Sequence, residues 1–179
     1  MDFQSLNKLG AVMIQEELIE EVDWTGKVVA IHPKSELKKR MFPHRVALVI
    51  PKQNGKLLLC RRAKDKHPFP DTWCCAIGGK IAAGESYATA ASRETKEEAG
   101  VDVALTHVTT FAYDKKDYQA LFAVFTADSF PSDALKLDPA EIQYLKGFTV
   151  AEIKKMIADA PNEFAPTFLA ALDAFTRAA

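Results

Sequence analysis

The sequence predicts a mixed α/β protein, an α+β sandwich in which a mixed β-sheet is flanked by helices and preceded by an N-terminal β-hairpin. Short runs of β-branched and aromatic residues alternate with longer runs that carry apolar residues at helical spacing. Strands and helices are interleaved without a strict strand–helix–strand repeat. The length of 179 residues and the apolar fraction of 48% suit a single domain with a substantial core.

The first half of the chain is predicted to form mainly strands. The segment "ELIEEVDWTGKVVAIHP" alternates on both sides of Thr25-Gly26, which predicts a hairpin. Ser35 is expected to cap a short helix, "ELKKR", which Pro43 bounds. The segment "HRVALVIPKQNGKLLLCRR" predicts a second pair of strands with a turn at Gln53-Asn54-Gly55. A loop rich in proline and charge, "AKDKHPFPDTW", follows.

The second half combines three predicted helices with two predicted strands. Ser86 is expected to begin an alanine-rich helix that ends at Ala99, with Gly100 as a left-handed C-cap. A stripe of small residues on this helix should pack against a sheet; it consists of Ala88, Ala91, Thr95 and Ala99. "LTHVTTFAYD" and "YQALFAVFTA" are typical of strands, and "TVAEIKKMIADA" and "APTFLAALDAFTRAA" of helices.

Composition excludes several classes of partner. The net charge of -1 argues against a nucleic acid polymer as the ligand. No run approaches the roughly 18 apolar residues that span a membrane, and the N-terminus is a poor secretory signal, so we expect a cytoplasmic protein. The cysteines, Cys60, Cys74 and Cys75, are expected to be free thiols in a reducing compartment. A homodimer is compatible with the sequence.

Three carboxylates share one face of the predicted alanine-rich helix. Glu94, Glu97 and Glu98 are related by i, i+3 and i+4, so they lie side by side. Their mutual repulsion costs stability unless a cation compensates. Mg²⁺ prefers oxygen ligands and is often bound together with phosphates. The alternative is a solvated acidic face on which Arg93 pairs with Glu97.

The spacing around this face resembles the Nudix box. Gly79 is followed after five residues by Glu85, and after seven more by Arg93-Glu94; Glu97, Glu98 and Gly100 complete the pattern over residues 79–101. Thr95 departs from the pattern, because the family usually has an aliphatic residue there, but a β-branched side chain should pack. The resemblance implies a Nudix-like fold, a Mg²⁺ or Mn²⁺ cofactor and hydrolysis of a small-molecule diphosphate.

The resemblance also implies roles for individual residues. Glu85 and Arg93 would support the loop, and a carboxylate outside full metal coordination would act as base, although the position of this base varies within the family. Glu141 lies where some members carry an extra catalytic acid; an ordinary acid at a helix start is the alternative. The metal ligands implied by matching position are the Gly79 carbonyl, Glu94, Glu97 and Glu98.

Basic residues precede the box. Arg61, Arg62, Lys64 and Lys66 follow the strand "KLLLC". Guanidinium groups suit bidentate phosphate contacts and ammonium groups act as point charges, so we expect Arg61, Arg62 and Lys66 to bind the diphosphate. The alternative is a solubilising strand end.

Beyond the box, residues 17–175 resemble the branch of the family related to isopentenyl-diphosphate isomerase. We divide the chain into an N-terminal extension, 1–43, and a Nudix domain, 44–179. The isomerase histidine that matches His44 binds metal, whereas a buried structural histidine is the alternative. The isomerases use a cysteine and a second metal-binding histidine where this chain has Gly78 and Lys80. We therefore expect a hydrolase; the alternatives are an isomerase-like enzyme or a non-catalytic nucleotide-sensing module.

Overall fold

Ten strands and three α-helices occur in the computed structural model, which describes residues 16–131 and 136–178. The strands are β1 (Leu18–Val22), β2 (Val28–Pro33), β3 (His44–Val49), β4 (Lys52–Gln53), β5 (Lys56–Arg62), β6 (Trp73–Cys75), β7 (Ile77–Lys80), β8 (Thr106–Lys115), β9 (Tyr118–Thr126) and β10 (Ile142–Phe148). The helices are α1 (Tyr87–Ala99), α2 (Val150–Asp159) and α3 (Pro166–Ala178), and short 3-10 helices cover Lys34–Lys38 and Pro161–Glu163.

The strands form two sheets. The first has six strands in the order β2-β1-β3-β9-β8, with β7 also paired to β3. In this sheet β3 and β9 run parallel, whereas the other pairs are antiparallel. The second sheet has four antiparallel strands in the order β10-β5-β4, with β6 paired to β5. The α/β class is confirmed, and the predicted N-terminal hairpin is continuous with the first sheet.

Strand β3 is buried on both faces. Val46 and Leu48 pack in a cluster with the second sheet and α3, while Ala47 and Val49 pack in a cluster with α1. This placement explains why the strand is almost continuously apolar instead of alternating with polar residues. Within the described ranges, no helix has the length and apolar character needed to cross a bilayer.

Helix α1 begins and ends as the sequence predicts. The Ser86 side chain accepts a hydrogen bond from Thr89 N, and Gly100 adopts a left-handed conformation with φ 70°. The buried face differs slightly from the prediction, because Ala90 is buried and Ala88 is exposed. The hydroxyl of the buried Thr95 donates to the Ala91 carbonyl at 2.7 Å. This bond satisfies the polar group that replaces the family's aliphatic residue.

Two local predictions were wrong. Ser35 caps no helix; Pro33 precedes the 3-10 helix, and Ser35 N donates to Glu16 Oε1 at 2.7 Å. Strands β3 and β5 do not pair with each other, because they belong to different sheets. The predicted turn instead joins β5 to the two-residue strand β4.

Replacing Gly100 with alanine should destabilise the C-terminal end of α1. The left-handed conformation costs a residue with a Cβ atom about 1–2 kcal/mol, and the new Cβ would lie 3.1 Å from Lys136 Cβ. Urea unfolding should show a loss of this size in Gly100→Ala. The control, Ala88→Ser on the exposed face of the helix, should change stability by less than about 0.5 kcal/mol. Equal effects of the two substitutions would contradict this role for Gly100.

Candidate active site

A cleft of about 730 Å³ is lined by residues from both sheets. Its size falls in the range of small-molecule sites, roughly 300–1,000 Å³. His44, Val46 and Leu48 contribute from β3, because alternate residues of a strand point to the same face. Residues of the second sheet and of the loop that follows β5 line the cleft from another side. The acidic face of α1 lines it as well, through Glu94, Glu97 and Glu98.

Arg93 connects the loop of the box to this acidic face. Its Nε and Nη2 donate to the two carboxylate oxygens of Glu85 at 3.0 and 2.9 Å. Its Nη1 donates to Glu94 Oε1 at 2.7 Å and to Glu97 Oε2 at 3.2 Å. The guanidinium lowers the pKa of Glu85, and the bidentate geometry fixes the side chain. These contacts hold the loop of the box against α1, and the supporting role of Glu85 and Arg93 stays a prediction.

Gly79 lies in β7 directly against the carboxylate of Glu94. A Cβ atom at this position would be 2.0 Å from Glu94 Oε1, far inside van der Waals contact. Only glycine lets the carboxylate approach the backbone this closely. The structure therefore brings Gly79 against Glu94, two of the residues that the resemblance assigns to metal binding.

Burial sets the protonation of the inner carboxyl groups. Glu98 accepts a hydrogen bond from Gly78 N at 3.1 Å, but burial raises its pKa to about 8. Burial also raises the pKa of Glu94, and this effect outweighs the opposing influence of Arg93. In the metal-free protein Glu98 is therefore mainly protonated at neutral pH. A cation that binds there would have to displace this proton.

The donor set suits a hard divalent cation. Carboxylate and carbonyl oxygens are the ligands of Mg²⁺ and Mn²⁺. The buried Glu98 carboxyl accepts a bond from Gly78 N and forms no ion pair with a described residue. In the part of the chain that the structure describes, no three acidic, histidine or cysteine side chains converge closely enough to hold a metal. Glu94 and Glu97 are turned toward Arg93 instead. Binding a cation would require these side chains to rotate.

The predicted phosphate-binding residues separate into two groups. Arg62 and Lys66 line the cleft, whereas Arg61 does not. Arg61 instead bonds Asp71 at 2.8 Å and Glu163 at 2.6 Å. Neighbouring residues of a strand point to opposite faces, so Arg61 and Arg62 cannot both face the cleft. The structure thus gives no support to the substrate-binding role predicted for Arg61.

Arg62 also shapes the loop beside the cleft. Its Nε donates to the Phe69 carbonyl at 3.1 Å and its Nη2 to the Pro68 carbonyl at 2.8 Å. Phe69 has a φ of 62°, which is unusual for a bulky residue and requires such support. The aromatic rings of Phe69 and Tyr118 lie 6.3 Å apart and both line the cleft.

Lys80 is a cleft residue for which sequence reasoning proposed no role. It lies beside Gly79 in β7, and burial, together with the charges of Lys34 and Lys66, lowers its pKa to about 8. It forms no ion pair within the described ranges. Leu37 and Met41 add apolar surface from the segment that follows β2. The lysines that follow β2 were the only sequence signal that this segment contributes to the cleft, and no motif connected them to the box.

His44 is buried, with 1% of its surface exposed. Its Nδ1 donates to the Phe42 carbonyl at 3.0 Å, which leaves Nε2 as a bare acceptor without a partner in the described chain. Burial lowers the pKa of His44 to about 4, so the ring is neutral. The three cysteines are free, as predicted, and all line the cleft.

This fold and this arrangement are those of a known family. The chain belongs to the Nudix family, since the NUDIX domain matches residues 41–168. It therefore falls in a class of hydrolases that act on phosphorus-containing acid anhydrides. An uncharacterized Nudix hydrolase of Pseudomonas aeruginosa is 35% identical over 129 residues, which cover 70% of this chain and 75% of that protein. An isopentenyl-diphosphate Delta-isomerase of Nocardia farcinica is 30% identical over 158 residues, or 83% and 88% of the two chains.

Solved structures share the fold. A crystal structure of a Deinococcus radiodurans protein superposes with a TM-score of 0.72 at 22% identity, covering 90% of this chain and 99% of that one. The NUDIX domain of Shewanella oneidensis NrtR, complexed with ADP ribose, gives a TM-score of 0.57 at 19% identity, covering 78% and 90%. At these identities the likeness concerns the fold alone.

The raised pKa of Glu98 predicts a specific dependence of stability on pH. The folded-state pKa of about 8 lies above the usual value of 4.5 for a glutamate carboxyl. The shift stabilises the metal-free fold fully below pH 4.5, and this contribution disappears as the pH rises through 8. Wild type should therefore lose stability relative to Glu98→Gln between these values. Urea unfolding of both proteins in EDTA at about pH 5 and about pH 8.5 measures the difference. A difference in unfolding free energy between the two proteins that does not change with pH would contradict the raised pKa of Glu98.

Proposed function

We propose that this chain is a Mg²⁺-dependent hydrolase that cleaves the diphosphate linkage of a nucleotide-type or other small organic diphosphate, with Mn²⁺ as an alternative cofactor. The observation that supports this proposal is the meeting of two opposite charge sets in one cleft. Glu94, Glu97 and Glu98 lie on one side, and Arg62, Lys66 and Lys80 supply cations from other segments. A metal and a diphosphate together would neutralise both sets.

Glu94, Glu97, Glu98 and the Gly79 carbonyl would hold the cation. When bound, Mg²⁺ polarises phosphoryl oxygens and supplies an activated water as nucleophile. Arg93 and Glu85 are positioning residues, because they fix the loop and the helix that carry the ligands. In this reaction the water oxygen forms a bond to phosphorus, the bridging P–O bond breaks, and a carboxylate of this face accepts the water proton.

Arg62, Lys66 and Lys80 would hold the phosphates. Lys80 follows Gly79 in β7 and lines the same cleft. Arg62 donates to the loop carbonyls through Nε and Nη2. Its Nη1 forms no bond with a described residue and could donate to a phosphate oxygen. Charge-assisted hydrogen bonds of this kind are shorter and stronger than neutral ones. The cytoplasmic location and a homodimeric assembly stay predictions alongside this proposal.

An isomerase is the second candidate, since isopentenyl-diphosphate isomerases are among the relatives. Isomerisation across an unactivated double bond needs a strong acid and a base on opposite faces of the substrate. Gly78 supplies no thiol and Lys80 no metal ligand at the two positions that the isomerases use. A nucleotide-sensing module is a third candidate, but a sensor would not need the complete set of box glutamates.

The hydrolase proposal predicts a loss of turnover on removing one carboxylate. Glu98→Gln should lower kcat by at least ~10²-fold, and EDTA should abolish phosphate release. Because Glu98 is protonated in the metal-free protein, the amide is nearly isosteric and the fold should persist. Turnover on a panel of nucleotide and organic diphosphates is the measurement, with Glu163→Gln, outside the cleft, as the matched control. Full activity in Glu98→Gln would refute the ligand assignment.

Incubation with Mg²⁺ and isopentenyl diphosphate separates the two enzyme candidates. We expect no dimethylallyl diphosphate, because the acid and the second metal ligand of the isomerases are missing. Product analysis by NMR detects the isomer directly, and a parallel assay detects phosphate release from other diphosphates. Catalytic formation of the isomer would overturn the hydrolase proposal in favour of its rival.

A further inference from the structure

The ion pair between Lys66 and Glu141 lies where the metal and the diphosphate would meet. Lys66 Nζ donates to Glu141 Oε1, although 75 positions separate the two residues in the chain. Both side chains line the cleft, and they are 34% and 26% exposed. The charges of both act on the Glu98 carboxyl, in opposite directions. The pair therefore borders the carboxylate that the proposed function assigns to the cation.

The backbones of both residues are held without help from this ion pair. Ala63 N donates to the Glu141 carbonyl at 2.9 Å, and Glu141 N donates to the Asp138 carbonyl at 3.0 Å. Lys66 N donates to the Ala63 carbonyl at 3.2 Å. Only the two side chains need to rotate for the pair to open, so either one can be replaced while the surrounding backbone stays in place.

A divalent cation beside Glu98 would change the balance of charges around the pair. The ammonium of Lys66 would repel the cation, and this repulsion is screened little in a partly buried cleft. Lys66 has no second carboxylate partner in the described part of the chain. A diphosphate would provide anionic oxygens for it. Glu141, once released, would face the positive charge of the cation.

We propose that the Lys66–Glu141 ion pair is a placeholder that opens when a divalent cation and a diphosphate bind together, an inference that rests on the function proposed above. Lys66 Nζ then donates to a phosphate oxygen instead of to Glu141, and the Glu141 carboxylate binds the cation. A cation alone has to bind against the charge of Lys66. A diphosphate alone has to compete with Glu141 for Lys66. Each ligand removes the obstacle to the other, and such coupling is reciprocal by thermodynamic linkage.

Binding measurements on Lys66→Met test this proposal without any need for turnover. Free Mn²⁺, followed by electron paramagnetic resonance, should bind the variant roughly 10-fold more tightly than wild type, a size typical of coupling between sites. The preformed complex of Mn²⁺ with methylenediphosphonate, which cannot be hydrolysed at its P–C–P bridge, should bind the variant roughly 10-fold more weakly, as expected for a lost charge-assisted bond. Lys64→Met, an exposed lysine of the same loop, should match wild type in both measurements.

The two affinities are expected to change in opposite directions, tighter for Mn²⁺ and weaker for the complex. This result distinguishes a lysine that exchanges Glu141 for a phosphate from a lysine that only supports the loop. A purely structural lysine would weaken both kinds of binding, and a remote charge would leave both nearly unchanged. Either result overturns the proposal, as does a wild-type protein that binds neither ligand. Thermal unfolding in EDTA checks that the variants are folded. Failure of the proposed hydrolysis shows separately, as absence of phosphate release from every diphosphate while the opposite shifts in binding persist.

Discussion

The guanidinium of Arg93 is the group on which the geometry of the cleft depends. It binds Glu85 through two bonds and reaches Glu94 and Glu97 on its own helix, so one side chain fixes the loop against α1. Arg45 extends this frame, because its Nη2 donates both to Glu20 of the hairpin and to the Glu85 carbonyl. The N-terminal hairpin, the loop and the helix are thereby joined through charged contacts. Without Arg93, Glu85, Glu94 and Glu97 would lose the cation that they share. The fold would then lose stability through their mutual repulsion and through the burial of the unpaired Glu94.

Much of the acidic side of the cleft could be predicted from the sequence, since it depends on contacts within about twenty neighbouring residues. Helical periodicity places Glu94 and Glu98 on one face, and the caps at Ser86 and Gly100 are local signals. The other side depends on tertiary contacts. Arg61 and Arg62 are equivalent in sequence, and only the register of β5 decides which of them faces the cleft. Strand β10 was missed because its charged and polar residues give little hydrophobic alternation, and its pairing with β5 is made through the backbone.

Lys80 is a position at which this chain departs from the isomerase pattern that its sequence resembles. A histidine in this position can be a neutral metal ligand, whereas a lysine is positively charged at any pH below its pKa. Partial burial moderates that charge but does not remove it at neutral pH, since the pKa is about 8. His44 stays neutral, and its Nε2 has no hydrogen-bond partner among the described residues. The cleft therefore carries a positive charge at Lys80 at neutral pH, which favours an anionic ligand there.

The two sides of the cleft differ in how far apart their residues lie along the chain, and this has a consequence for how the protein acquires its binding properties. The carboxylates and Gly79 come from one short segment, whereas Lys66 and Glu141 meet across 75 positions and the second sheet. Contacts between distant residues require long loops to close, which is slow during folding. Cation binding by a refolding chain would thus report the assembly of one loop and one helix. Formation of the diphosphate-binding side would report the later pairing of β5 with β10.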